Sequence, residues 1–147
     1  MSVRLLVALS LCAVACGKRQ SVAEGPIQVA GGGQRIPALQ SLVATGPTAE
    51  VCFDIVGTAH SSSYDRITFA DGNSTRVAAT LLGVNTTTGD RTQLELRGLH
   101  TSDGTTCLWS HPGRTPEIRY DSVMLGFDFP VTIRQIHWWS GERIAFP

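Results

Sequence analysis

Near the C-terminus, residues 137–141 combine one imidazole with two adjacent indoles, which are side chains suited to holding a ligand. Successive side chains of a β-strand point to opposite faces. If Trp138 joins the core, Trp139 and His137 therefore face outward, where an indole can stack on a sugar ring or anchor a protein partner. The pattern predicts ligand contacts at Trp139 and His137. The alternative is that both tryptophans are buried, one in the core and one beneath the N-terminal segment.

A second candidate contact lies in residues 60–64, which consist of a histidine, three serines and a tyrosine. The hydroxyl groups of this polar stretch are able to contact a ligand, and Tyr64 is the third predicted binding residue. The alternative is a mobile loop without a ligand.

The sequence contains no recognisable catalytic or metal-binding motif. It has no Gly-x-Ser-x-Gly, His-Glu-x-x-His or phosphate-loop pattern. The four histidines lie in separate segments and lack the short spacing of metal ligands. We therefore expect no cofactor, no metal and no catalytic residue. A hydrolase that uses His60, Asp65 and His137 remains an alternative if the fold brings these side chains together.

Cys52 and Cys107 are predicted to form a structural disulfide, because thiols are oxidised in exported proteins. A redox-active pair is more often a close Cys-x-x-Cys, which this sequence lacks. The spacing invites an immunoglobulin interpretation, but the three tryptophans all follow Cys107, and Thr105 stands where those domains have tyrosine. A generic sandwich is still compatible with these cysteines.

The first residues have the pattern of a secretory signal. Arg4 precedes an apolar run over residues 5–15. As a helix this run is about 16 Å long, which is short for a bilayer core of about 30 Å. Ala13 and Ala15 supply the small residues of a cleavage site, so residues 1–15 are predicted to be a signal peptide.

Cys16 and Gly17 follow this pattern directly, and here the sequence resembles bacterial lipoproteins. In that family the cysteine is diacylated and, after cleavage, also carries an N-linked acyl chain such as palmitate. The resemblance implies a membrane-anchored protein of the bacterial cell envelope that faces the periplasm or the cell exterior, and Gly17 is compatible with outer-membrane sorting. It covers only the signal segment, and Ala13 departs from the usual leucine. Plain secretion with an unmodified Cys16 is the alternative.

Composition describes a neutral chain of 147 residues, which is enough for one domain with its own core. Hydrophobic residues make up 42% of the chain, so global disorder is not expected. The 12 basic residues balance 12 acidic ones. This balance argues against a nucleic-acid binder and leaves no long-range field to steer a charged partner.

Most of the remaining sequence alternates between apolar and polar residues, with turn signals between the segments. Residues 16–47 are rich in glycine and proline and favour a flexible linker, although the apolar pieces at 27–29 and 39–44 are alternative starts of the folded domain. Residues 48–147 are predicted to form a single antiparallel β-sandwich of about 7–8 strands, immunoglobulin-like or jelly-roll-like. Residues 75–98 predict a hairpin, and a phase slip at Arg134 and Gln135 predicts a β-bulge.

Together these patterns predict an envelope-anchored, non-enzymatic β-sandwich lipoprotein that acts as a binding or structural module. The sharper form of this hypothesis is that it binds carbohydrate or cell wall. Its expected partners are the membrane and either a polysaccharide or an envelope protein, with no nucleic acid. A protein–protein adaptor in an envelope complex is the alternative, and the hydrolase is a third, less favoured one.

Overall fold

The computed structural model describes residues 19–57, 59–102 and 104–142, so the predicted signal peptide at residues 1–15 and Cys16 lie outside the described residues. The protein is an antiparallel β-sandwich with one disulfide, Cys52–Cys107, which confirms the predicted fold class. The described ranges contain 11 strands, more than the seven or eight predicted. No helix within them is long and apolar enough to cross a membrane.

Two antiparallel sheets pack face to face, and we call them the front sheet and the back sheet. The strands are β1 (Gln20–Val29), β2 (Gln34–Ala44), β3 (Thr48–Ile55), β4 (Ala59–Ser63), β5 (Arg66–Phe69), β6 (Ser74–Asn85), β7 (Arg91–Leu96), β8 (Gly98–Ser102), β9 (Thr105–Ser110), β10 (Thr115–Phe127) and β11 (Val131–Gly141). The front sheet has the order β1-β11-β3-β9-β8, and the back sheet has the order β2-β10-β6-β5-β4, with β7 also pairing β6.

The core lies between the sheets because the strands alternate apolar and polar residues. Phe53 of the front sheet meets Phe127 of the back sheet edge to face, with ring centroids 6.0 Å apart. Trp138 is 2% exposed, and its ring centroid lies 6.2 Å from that of Tyr120 in the opposite sheet. Burial raises the pKa of the Tyr120 hydroxyl above its ordinary value. These aromatic contacts fix the two sheets against each other.

Residues 20–44, expected to be flexible linker, instead form β1 and β2 and belong to the sandwich. β1 pairs β11 and β2 pairs β10, and their fully buried side chains include Val22, Val29 and Leu42. Register shifts interrupt both pairings, so the inward-facing residues lose the regular alternation that marks a strand in the sequence. The sandwich therefore begins at Gln20.

The glycine run at residues 31–33 makes a turn between β1 and β2 rather than a tether. Gly32 and Gly33 have φ values of 92° and 115°, a conformation that glycine adopts without steric cost. The Gly32 N–H donates to the Phe127 carbonyl oxygen at 2.8 Å, which attaches the turn to the back sheet.

The sequence interpretation also missed β4 and β8, which are short and polar. Both lie at the edge of a sheet, where one side of the strand contacts solvent and few apolar residues are needed. β4 covers most of the polar stretch at residues 60–64. The predicted hairpin is confirmed as β6 and β7, and the predicted bulge is confirmed by a register shift between Ile133 and Ile136.

Tyr64 occupies the first loop position of the β4–β5 hairpin, where Ser63 pairs Arg66. Its φ of 54° lies in the left-handed region, which costs a residue with a side chain about 1–2 kcal/mol. Glycine avoids this cost but loses more backbone entropy on folding. We expect Tyr64→Gly to raise the free energy of unfolding by about 0.5–1 kcal/mol in urea titrations. Tyr64→Phe is the neutral control, and a less stable glycine variant would contradict the strained backbone.

The outer face of the back sheet is charged and solvated. Asp121 pairs with Arg35 at 3.4 Å and with Arg91 at 3.1 Å. Partial burial raises the pKa of Asp121, but the hydrogen bond from Ser122 and the two arginines outweigh this and hold that pKa below its ordinary value. Exposed pairs of this kind stabilise a fold by only about 0.2–1 kcal/mol each. This face contrasts with the outer face of the front sheet.

Candidate functional site

The outer face of the front sheet brings two tryptophans to either side of a buried carboxylate. Trp139, Glu50, Trp109 and Gly98 lie directly opposite one another on β11, β3, β9 and β8. Neighbouring strands are about 4.8 Å apart, so the Cα atoms of the two tryptophans are about 10 Å apart, with Glu50 between them. We call these four residues the aromatic row.

Both indoles are half-buried, and each lies over a glycine. Trp109 covers Gly98 of the neighbouring strand, where a Cβ would overlap the ring. Trp139 covers Gly141 of its own strand, where a Cβ would lie 2.6, 3.0 and 3.2 Å from three ring carbons. These similar distances mean that the indole faces the glycine flat-on. Trp109 also packs against His111, with ring centroids 5.1 Å apart and planes tilted by 54°.

Glu50 is only 2% exposed, although it lies on the outer side of the sheet. Its Oε1 lies 3.3 Å from the Sγ of Cys52, which is two residues further along β3. Burial of a carboxylate costs free energy unless other interactions compensate for the lost water. This makes Glu50 the most unusual side chain on the face.

A second row on the same face lies two residues away from the aromatic row on each strand. Its four members lie opposite one another on β11, β3, β9 and β8, and we call them the sulfur row: His137, Cys52, Cys107 and His100. The disulfide joins β3 to β9 across a Cα separation of 4.1 Å, as the cysteine pattern predicts. The row places an imidazole on either side of the disulfide, and Ser21 of β1 extends it beyond His137.

A polar depression of about 370 Å³ lies beside the sulfur row. Its charged acceptor is Asp54, which receives hydrogen bonds from Thr105 Oγ1 at 2.8 Å and from Gln135 Nε2 at 3.3 Å. Its lining also includes Arg19, Ser21 and His137. Hydrogen-bond donors and acceptors therefore lie on the same face as the aromatic row, on the far side of the sulfur row from it.

The fold brings two of the three predicted ligand-binding residues onto one face. Trp138 points into the core, and Trp139 and His137 share the outer face of the front sheet, as strand alternation predicts. Tyr64 is 94% exposed but lies at the β4–β5 hairpin of the back sheet rather than on the front sheet. The hydrolase alternative gains no support, because His60 and Asp65 lie on that same hairpin and His137 does not.

Glu50 and Trp109 are the site residues that sequence reasoning missed. The predicted pairing of Cys52 with Cys107 was the sequence signal that could have identified them. In an antiparallel pair, the residue two positions before one cysteine must lie opposite the residue two positions after the other. Glu50 therefore faces Trp109 once Cys52 faces Cys107.

No family model and no curated protein matches this chain. Among solved structures, it is similar to the N-terminal endo-1,4-β-D-xylanase 10B of Clostridium thermocellum, which contains CBM22-1 and GH10 modules complexed with xylohexaose. The identity is 7%, the TM-score is 0.37, and the match covers 88% of this chain. The chain spans 27% of the length of that protein. A likeness at this level carries no information about ligand or activity.

Proposed function

We propose that this chain is an exported, lipid-anchored, non-enzymatic β-sandwich protein that binds a carbohydrate of the cell wall through the outer face of its front sheet. One observation carries the proposal: Trp109 and Trp139 each lie flat over a glycine on the same face of one sheet. The faces of a sugar ring that carry C–H groups are apolar and pack against an indole plane. Two indoles about 10 Å apart fit a chain of sugars better than one isolated ring.

The polar depression supports the same ligand class. Binding sites for small molecules combine apolar or aromatic surface with a few polar groups that fix orientation. Here Arg19 and Gln135 supply donors and Asp54 an acceptor on the same face as the aromatic row, about 13 Å along the strands from it. These are the groups that sugar hydroxyls require. The equal numbers of acidic and basic residues favour a neutral polysaccharide over a polyanion.

A binding screen tests the carbohydrate proposal. We expect the mature chain with Cys16→Ser, which removes the lipid site, to co-sediment with at least one of cellulose, xylan, chitin and peptidoglycan sacculi. Trp139→Ala should lower the retained fraction about tenfold, because contact with the indole is lost. His60→Gln, at an exposed position of β4 outside the aromatic row, is the control and should bind normally. Equal retention of the Trp139→Ala variant would exclude this face.

The lipid anchor has its own test. In the intact cell we expect the protein to fractionate with membranes, and Cys16→Ser to release it into the soluble fraction with a change in gel mobility. The signal pattern and Cys16 support this proposal. A Cys16→Ser variant that stays in the membrane fraction with unchanged mobility would contradict it.

An anchor at Cys16 would hold the sandwich close to the membrane. Only residues 17–19 separate Cys16 from β1, and three or four extended residues span about 14 Å at most. Gln20 lies opposite Trp138, so the start of β1 is beside the aromatic row. The proposed ligand would therefore be bound within a short distance of the membrane surface.

The protein–protein adaptor is the second candidate, and Tyr64 favours it. A tyrosine that is 94% exposed at a hairpin tip is suited to anchoring a protein partner. A photo-crosslinker placed at Tyr64 in cells should capture a partner at a defined mass. Recovery of the uncrosslinked monomer alone would count against the adaptor.

A further inference from the structure

Three chemically reactive side chains meet where the aromatic row and the sulfur row adjoin. The ligand atoms of Glu50, Cys52 and Cys107 all lie within 4.8 Å of one another. Glu50 and Cys52 are each 2% exposed, and Cys107 is partly exposed. While the disulfide is intact, the sulfurs are bonded to each other and offer no thiolate to a cation.

We infer that reduction of the Cys52–Cys107 disulfide creates a binding site for a borderline-soft divalent cation such as Zn²⁺. The ligands are the Cys52 and Cys107 thiolates and the Glu50 carboxylate, with water completing the coordination. Thiolate and carboxylate are ligand types that Zn²⁺ accepts in proteins. This site shares Glu50 with the aromatic row, but metal binding does not require a carbohydrate ligand.

The geometry suits a tetrahedral ion. Zinc lies about 2.3 Å from thiolate sulfur and about 2.0–2.2 Å from nitrogen or oxygen, so its ligand atoms are about 3.3–3.8 Å from one another. The Oε1 of Glu50 is already 3.3 Å from the Sγ of Cys52. β3 and β9 hold the two cysteine Cα atoms 4.1 Å apart, so the sulfurs remain neighbours when their bond is cut. The three ligand atoms start within 4.8 Å of one another, close to the separations that the ion requires.

Charge favours the same arrangement. Two thiolates and a carboxylate place three negative charges around one buried point, and their mutual repulsion is relieved when a dication occupies it. Burial of Glu50 and Cys52 strengthens the attraction, because few water molecules screen it. The buried Glu50 carboxylate beside the disulfide would then serve as a metal ligand in the reduced protein.

The reduction requires an external dithiol. A thiolate of that reductant attacks the Sγ of Cys107, the more accessible sulfur, and forms a mixed disulfide while Cys52 leaves as the thiol. The second thiol of the reductant then displaces Cys107, so two electrons and two protons pass to the protein and the reductant becomes a disulfide. Binding of Zn²⁺ to the two thiols releases two protons.

Cobalt and zinc titrations of the mature Cys16→Ser chain test the inference. We expect the reduced protein, freed of reductant under argon, to bind one Co²⁺ with the charge-transfer absorbance of thiolate ligation, and Zn²⁺ to displace it. The oxidised protein should show no such band. Glu50→Gln should weaken binding about tenfold or more, and Glu95→Gln, at an exposed position of β7, is the matched control.

Thermal unfolding supplies a second readout that does not depend on the cobalt spectrum. A cation that binds only the folded state raises its Tm, so Zn²⁺ should stabilise the reduced protein and leave the oxidised protein unchanged. The inference is overturned if reduced protein binds Co²⁺ no better than Cys52→Ser/Cys107→Ser, or if Glu50→Gln binds as tightly as the parent. Failure of Zn²⁺ to restore the strand signal of a reduced, unfolded chain would also overturn it, because the site needs the paired strands.

Discussion

Trp138→Ala is expected to lower the free energy of unfolding by about 4 kcal/mol, because replacement of a fully buried tryptophan removes its apolar contacts and leaves a cavity. Trp138 is 2% exposed and contacts Tyr120 across the core. Trp139→Ala should cost only about 1 kcal/mol, since that indole is half-buried and its loss leaves no closed cavity. Urea denaturation of the two variants, compared at equal m-values, measures the difference.

This comparison uses adjacent residues as each other's control. The two residues are of the same type and are neighbours on one strand, and they differ in which face of the strand they occupy. Similar losses of several kcal/mol for both variants would mean that Trp139 is buried like Trp138. The outer face of the front sheet would then not offer an indole to a ligand.

Removal of the disulfide is the second large effect. Cys52 and Cys107 are 55 positions apart, and a loop of this size restricts the unfolded chain enough to stabilise the fold by about 4 kcal/mol. For a domain of this length the loss corresponds to a fall in Tm of about 15 °C. We expect this fall in the Cys52→Ala/Cys107→Ala variant, and a similar fall when the parent is reduced in the presence of a chelator.

The double variant also supplies the control for reduction. Its Tm should not respond to reductant, because no disulfide remains. A parent protein whose Tm is unchanged in reductant would contradict the structural role of the disulfide. Zinc must be excluded from these measurements, since it is expected to stabilise the reduced chain.

Local alternation made the fold class predictable. β6 buries every second residue along most of its length, and β7 and β11 show similar patterns that turn residues separate. The phase slip at Arg134 and Gln135 identified the bulge in β11 because it reverses the alternation at one point. The oxidised pair followed from the cysteines alone. Each of these features depends either on residues close together in the chain or, for the disulfide, on the pairing of two cysteines.

The first two strands could not be predicted in the same way. β1 and β2 pair with β11 and β10, which lie near the other end of the chain. Their glycines and prolines are typical of a linker, and their bulges disturb the alternation. What stabilises them is burial against distant strands, and a local pattern does not record that contact.

The site was predictable to the extent that it depends on strand alternation. Trp139 and His137 were expected on the outer face from their position beside Trp138. Trp109 and Glu50 join them only through the register of three paired strands. Tyr64, by contrast, was chosen for its side chain alone, and the fold places it in the other sheet.

The most direct test of the proposed binding face is a calorimetric titration with soluble cello-, xylo- and chito-hexaoses. It uses the mature Cys16→Ser chain and its Trp139→Ala, Trp109→Ala and double variants, with Trp139→Phe to retain an aromatic face. We predict saturable binding of at least one hexaose, a rise in Kd of about tenfold or more for each alanine variant, and a smaller rise for phenylalanine. Unchanged Kd values in the Trp139→Ala and Trp109→Ala variants would contradict the account, as would the absence of binding to all three hexaoses.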